Sequence, residues 1–162
     1  MSKKALLISC CLGLLLTIIY YFYFPNNVAI HFDSNGIPDS WTNKNINFLI
    51  EAFIYLLITG IFFSIPLIIK NTPSKFVNIP NKQYWLAPER KTYTSEMISN
   101  TLCWVGVGLN FFFIILGFIV LKTNMLRNVV LDNSIVYILL LALTVYMSIW
   151  LIKLYIRLKK TV

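Results

Sequence analysis

An all-α membrane protein with four transmembrane helices is the fold class this 162-residue chain predicts, and three observations carry it. The chain is 58% hydrophobic and only 12% charged, whereas a soluble domain carries about 25% charged residues. Its apolar residues gather in four runs, each near the roughly 20 residues that a helix needs to cross a bilayer. Its Lys and Arg residues fall on alternate sides of those runs, as the positive-inside pattern requires.

The first run, "ALLISCCLGLLLTIIYYFYF", covers Ala5 to Phe24 behind the basic start "MSKK". It reads as a retained signal anchor. No small-residue cleavage site follows it, and it ends in an aromatic belt of Tyr20, Tyr21 and Tyr23. The second, "NFLIEAFIYLLITGIFFSIPLII", covers Asn47 to Ile69, where Gly60 and Pro66 are expected to permit close approach and a bend. The third, Thr101 to Leu121, sets Gly106, Asn110, Phe113 and Gly117 at helical spacing on one face. That face reads as a packing seam in which Asn110 hydrogen-bonds a neighbouring helix, with a transported-solute contact as the other reading. The fourth is "SIVYILLLALTVYMSIWLI", Ser134 to Ile152, with Trp150, Lys153 and Tyr155 anchoring its far end. No repeat or low-complexity stretch divides residues 1–162, so one polytopic domain is expected.

Lys3, Lys4, Lys70, Lys75, Lys82, Arg90, Lys91, Lys153, Arg157, Lys159 and Lys160 fall on one side; Lys44, Lys122 and Arg127 fall on the other. Both termini and the 70–100 loop are therefore expected in the cytoplasm and the 25–46 loop outside, in a bacterial plasma membrane. The net charge of +8 is used up by this asymmetry, leaving no basic face for nucleic acid. Cys10, Cys11 and Cys103 all sit in apolar runs, without disulfide or metal spacing. A helix bundle with a glycine seam also fits a homo-oligomer.

Glu51 is the one acid within a span. A residue so placed reaches water or pairs with a loop base such as Lys44, or else relays protons. The cytoplasmic loop, "KNTPSKFVNIPNKQYWLAPERKTYTSEM", is broken by Pro73, Pro80 and Pro88. Its aromatics interleave with bases, so Tyr84, Trp85 and Arg90 are expected to contact lipid headgroups or dock a cytoplasmic regulator or another membrane subunit. The third helix is expected to begin near "SEM", capped by Thr94 or Ser95.

The outer loop, "NNVAIHFDSNGIPDSWTNKN", holds the chain's single histidine, His31. Pro25 ends the first helix, "VAIHF" reads as extended, and "DSNG" is a turn with Gly36 free to take a positive φ. "IPDSW" reads as a second turn, with Asp39 or Ser40 accepting backbone N–H bonds; Thr42 or Asn43 caps the next helix.

The pattern P-x-x-V-x-I-H-F-D-x-x-G-x-P-D-x-W-x-x-K, from Pro25 to Lys44, resembles the signature of an uncharacterised bacterial membrane domain. That domain also forms the N-terminal part of the sporulation-delaying toxin immunity proteins. Pro25, Val28, His31, Phe32, Gly36, Asp39, Trp41 and Lys44 are the matching positions, and the resemblance covers about Leu12 to Gly60. "VNIPNKQYWLAPER" is similar to the cytoplasmic loop of short relatives with the same domain. The resemblance implies a multi-spanning bacterial membrane protein. In the immunity proteins it also implies protection from a secreted antimicrobial peptide, relayed to a repressor held at the membrane. Those proteins continue into further spans and a distinct C-terminal domain, for which four helices leave no room.

His31, Asp33, Gly36, Asp39, Trp41 and Lys44 are thus the candidate ligand-binding or loop-organising residues, and Glu51 and Asn110 the candidate intramembrane polar ones. His31 reads first as a loop organiser. pH sensing, ligand contact and metal ligation are its alternatives, the last weakened by one His facing only Asp33 and Asp39. Neither a catalytic constellation nor a cofactor motif occurs. The expectation is a non-enzymatic membrane protein whose outer loop meets an extracellular or membrane-borne ligand such as a peptide toxin, with a small transporter or membrane-complex subunit as the alternative.

Overall fold

The computed structural model describes residues 1–126 and 128–160. Arg127, counted above among the loop cations, and the last two residues of the expected 1–162 domain lie outside them. In chain order the elements are α1 (Ser2–Tyr23), β1 (Asn27–Phe32), β2 (Pro38–Asn43), α2 (Lys44–Asn71), α3 (Lys82–Trp85), α4 (Pro88–Asn124) and α5 (Asn133–Lys159), with one 3-10 turn at Ser74–Phe76. α1, α2, α4 and α5 are each long and apolar enough to cross a membrane.

α1, α2 and α4 form a three-helix core packed in layers. Leu6 meets Cys103 and Val107 in one layer, Cys10 meets Tyr55 and Ile114 in another, and Phe24 meets Val28 and Leu121 at the end. α1 and α4 therefore run parallel and α2 antiparallel to both. Without a hydrophobic force between helices in lipid, close approach must come from small residues. A Cβ on Gly13 would lie 2.5 Å from the Tyr55 ring, which fills that space. α5 packs along α4 by the same device: Tyr146 lies over Gly108 and donates its hydroxyl to the Trp104 carbonyl. Trp150 stacks on Trp104 at 5.6 Å.

Several expectations on elements need correction. Gly60 meets nothing within 4 Å and marks no close approach. "IPDSW" is not a second turn: Pro38 opens β2, which pairs antiparallel with β1. The all-α class thus gains a small hairpin. Thr94 and Ser95 cap nothing. Pro88 at the first helical position, where its missing N–H costs nothing, starts α4 thirteen residues before Thr101. Thr94 and Ser95 lie buried inside α4, their hydroxyls donating to the carbonyls of Trp85 and Thr92. The loop expected over 70–100 shrinks accordingly. The other helices also overrun the apolar runs, α5 continuing to Lys159.

At one end of the bundle Trp85 is 8% exposed among Met97, Ile98 and Leu158. Its indole N–H donates to the Leu158 carbonyl at 2.7 Å. At the other end sits the hairpin. α4, about 55 Å long at 1.5 Å per residue, joins the two.

Candidate functional site

The hairpin is built from its turn. Asp33 Oδ1 accepts the backbone N–H groups of Asn35 and Ile37, both at 2.8 Å. These bonds, that from Ile37 first, hold the Asp33 carboxyl below its ordinary range. Gly36 takes φ +77°, a conformation nearly free for glycine. Register shifts leave Ile30 in β1 and Asp39 in β2 without Cα partners. Such irregularities re-aim side chains. Asp39 reaches across to His31, whose Nδ1 lies 2.5 Å from Asp39 Oδ1. Asn43, one of the two expected caps, accepts the Asn45 N–H and starts α2.

The helical body holds this hairpin at three points. Asn124, 7% exposed near the end of α4, donates to the Ala29 carbonyl at 3.0 Å and accepts the Ala29 N–H at 2.7 Å. It acts as a one-residue partner strand. The Leu131 N–H donates to the Gly36 carbonyl at 2.8 Å. Asn133, first residue of α5, donates to the carbonyls of Ser34 and Asp33 at 2.9 and 3.2 Å. Val28 and Ala29 are consequently fully buried. The opposite face stays open: His31 and Asp39 side chains are 69% and 50% exposed, and Trp41 is 44% exposed.

His31, Asp33, Gly36, Asp39 and Trp41 are thus gathered in one hairpin. Gly36 and Asp33 shape it, while His31, Asp39 and Trp41 form its open face. Among the described residues, His31 and Asp39 belong to no metal-binding group of three or more. Lys44 stands apart, its ammonium 5.0 Å from the centre of the Tyr21 ring.

Glu51 does not pair with Lys44. Its carboxylate accepts the Asn47 amide at 2.9 Å and the Thr17 hydroxyl at 3.2 Å. Asn110, fully buried, donates to Ser9 Oγ at 2.9 Å, so it joins α4 to α1 as the seam reading requires. Its Oδ1 has no partner. At the far end, the Arg90 guanidinium lies 4.1 Å over Tyr84, while Trp85 is buried and offers no surface to a headgroup or partner. The grouping of Tyr84, Trp85 and Arg90 as one contact surface is corrected to that extent.

Asn124, Leu131 and Asn133 were not singled out in the sequence. Asparagine at a span boundary is also what helix ends use for capping, and nothing local marks these as clamps for a hairpin about a hundred residues away.

Four long apolar helices and a clamped hairpin define a multi-pass membrane protein. Residues 8–56 match the family model of a domain of unknown function, DUF1648. The match takes in most of α1, the whole hairpin and α2 as far as Leu56, agreeing with the resemblance placed on Leu12 to Gly60. The clamping residues of α4 and α5 lie outside it. Neither the curated proteins nor the solved structures contain a match to this chain.

Proposed function

We propose that this chain is a non-enzymatic protein of a bacterial plasma membrane, with both termini in the cytoplasm. Its hairpin is an outward recognition surface for an extracellular or membrane-borne ligand such as an antimicrobial peptide. One observation carries the reading. The hairpin is fixed to α4, to α5 and to the segment between them by five hydrogen bonds whose donors and acceptors are Ala29, Asp33, Ser34, Gly36, Asn124, Leu131 and Asn133. Yet His31, Asp39 and Trp41 are left unused by that docking. A loop that served only to connect two helices would need neither the clamps nor the open aromatic and charged face. Because Asn124 belongs to the same helix that packs on Trp85, displacement of the hairpin bears directly on the cytoplasmic end. There the Tyr84–Arg90 face docks a regulator or membrane subunit. Survival of cells producing the chain, challenged with a panel of secreted antimicrobial peptides, tests this. Trp41→Ala and His31→Ala at unchanged protein level abolish the protection; protection that persists in both refutes the hairpin's role.

The unpartnered Oδ1 of buried Asn110 favours a second reading, a small transporter with Asn110 on the path. In that case Asn110→Leu lowers solute flux into liposomes. Flux unchanged by the substitution counts against it.

A further inference from the structure

Beneath the hairpin, between α2 and α4, lies a groove of about 250 Å³ that the recognition face does not use. Ile30, Ile50, Ile54, Phe113 and Leu116 line it, and Glu51 stands in it. Ile30 is there because the register shift frees it from strand pairing, and it is 40% exposed; Ile50 on the rim is 46% exposed, so the groove opens to the surroundings. Gly117 forms the wall beside the carboxylate. A Cβ there would make ordinary contacts, 3.6 Å from the Tyr20 ring and 3.9 Å from Glu51 Oε2, so a branched side chain built on it would take the space next to that oxygen.

Each Glu51 oxygen accepts one hydrogen bond from a neutral donor, Asn47 or Thr17, and each retains a second acceptor position. Among the described residues, no Lys, Arg or His lines the groove, and Glu51 has no ion-pair partner. A lone ionised carboxylate in an apolar membrane groove is costly unless a cation joins it or it takes up a proton, and an amine that pairs with it serves both ends by sharing its proton with the carboxylate. The groove therefore discriminates by charge. An anionic amphiphile meets repulsion. A neutral one leaves Glu51 unpaired. A zwitterionic phospholipid brings a phosphate for which the lining supplies no cation.

We propose that this groove binds a monocationic amphiphile. A protonated primary amine occupies the free acceptor positions of Glu51, and its hydrocarbon chain lies along Ile50, Ile54, Phe113 and Leu116. The site is separate from the open face formed by His31, Asp39 and Trp41.

The test is saturable binding of radiolabelled dodecylamine to the full chain in phosphatidylcholine nanodiscs, referenced to empty nanodiscs. Binding above the empty discs is expected, weakened about tenfold or more by Glu51→Gln, which removes the charge with little change of shape. Gly117→Val, which fills the space beside the carboxylate, weakens it as well. Dodecanol and dodecanoate do not compete. A circular-dichroism melt of both variants confirms that they fold. No binding above empty discs, full binding by folded Glu51→Gln, or equal competition by dodecanol overturns the proposal. None of these outcomes bears on protection by the hairpin face, which Trp41→Ala tests separately.

Discussion

Asn124 of α4 pairs with the backbone of Ala29 in β1 through both its amide oxygen and its amide nitrogen, across 95 residues of sequence. A backbone N–H and C=O buried in a membrane protein need partners, and β1 has β2 on one side only. Asn124 supplies the other side. Asn124→Ala leaves both groups of Ala29 unpaired and is expected to cost about 2–4 kcal/mol. Thermal unfolding in detergent measures the loss, and hydrogen exchange at the Ala29 amide locates it. An unchanged exchange rate there would contradict the clamp.

The turn is pinned by Gly36. Any side chain there meets both a φ of +77° and the Leu131 carbonyl oxygen, 2.0 Å from where Cβ would stand. That carbonyl belongs to backbone and cannot swing aside as a flexible side chain would. Gly36→Ala is expected to destabilise by about 1–3 kcal/mol and to displace the segment before α5. Stability equal to wild type would show that the turn is not docked on Leu131.

Asp33 gives the hairpin a pH dependence with a defined sign. Its carboxyl titrates lower folded than unfolded, because the Ile37 and Asn35 N–H groups favour the charged form. The stabilisation is therefore complete above the unfolded value of about 3.9. It disappears as pH falls through the lower folded value. Amide exchange at Asn35 and Ile37 should accelerate on acidification below about pH 4, beyond the change in intrinsic rate, and Asp33→Asn should abolish that extra acceleration. Protection that does not respond to pH in the wild type would rule this out.

At the opposite end, Trp85 holds the last turn of α5 through one hydrogen bond to Leu158. Trp85→Phe retains an aromatic ring but leaves the Leu158 carbonyl only the longer bond from the Asn81 amide at 3.3 Å, at a cost of about 1 kcal/mol. Limited proteolysis after Arg157 and Lys159 reads the loosened end. Cleavage at the wild-type rate would mean that the contact does not secure α5.

The four spans were legible because length and apolarity suffice to detect them, and the Gly36 turn because its chemistry is local. The start of α4 was partly legible. Pro88 is a standard helix opener, but "PERKTYTSEM" is polar and reads as loop until Trp85 and Leu158 are known to cover its buried face. The second strand was obscured by the turn residues Pro38 and Asp39, although Trp41 and Thr42 favour strand. His31, Asp39 and Trp41 were among the candidate residues, but undivided from Asp33 and Gly36, which shape the turn, and from Lys44, which stands apart. The clamps were not, since Asn124 and Asn133 acquire their role only when α4 and α5 are brought against the hairpin. The pairing of Glu51 failed for a related reason: Lys44 lies seven residues earlier on α2, while Asn47 sits one turn away and Thr17 faces it from α1.

The most direct test of the recognition surface is amide hydrogen exchange of the full chain in nanodiscs, with and without a peptide against which it protects cells. Slower exchange across Val28 to Thr42, lost in Trp41→Ala, is the predicted result, accompanied by a change around Trp85 at the other end of α4. Exchange in the hairpin that is indifferent to the peptide would contradict the central claim.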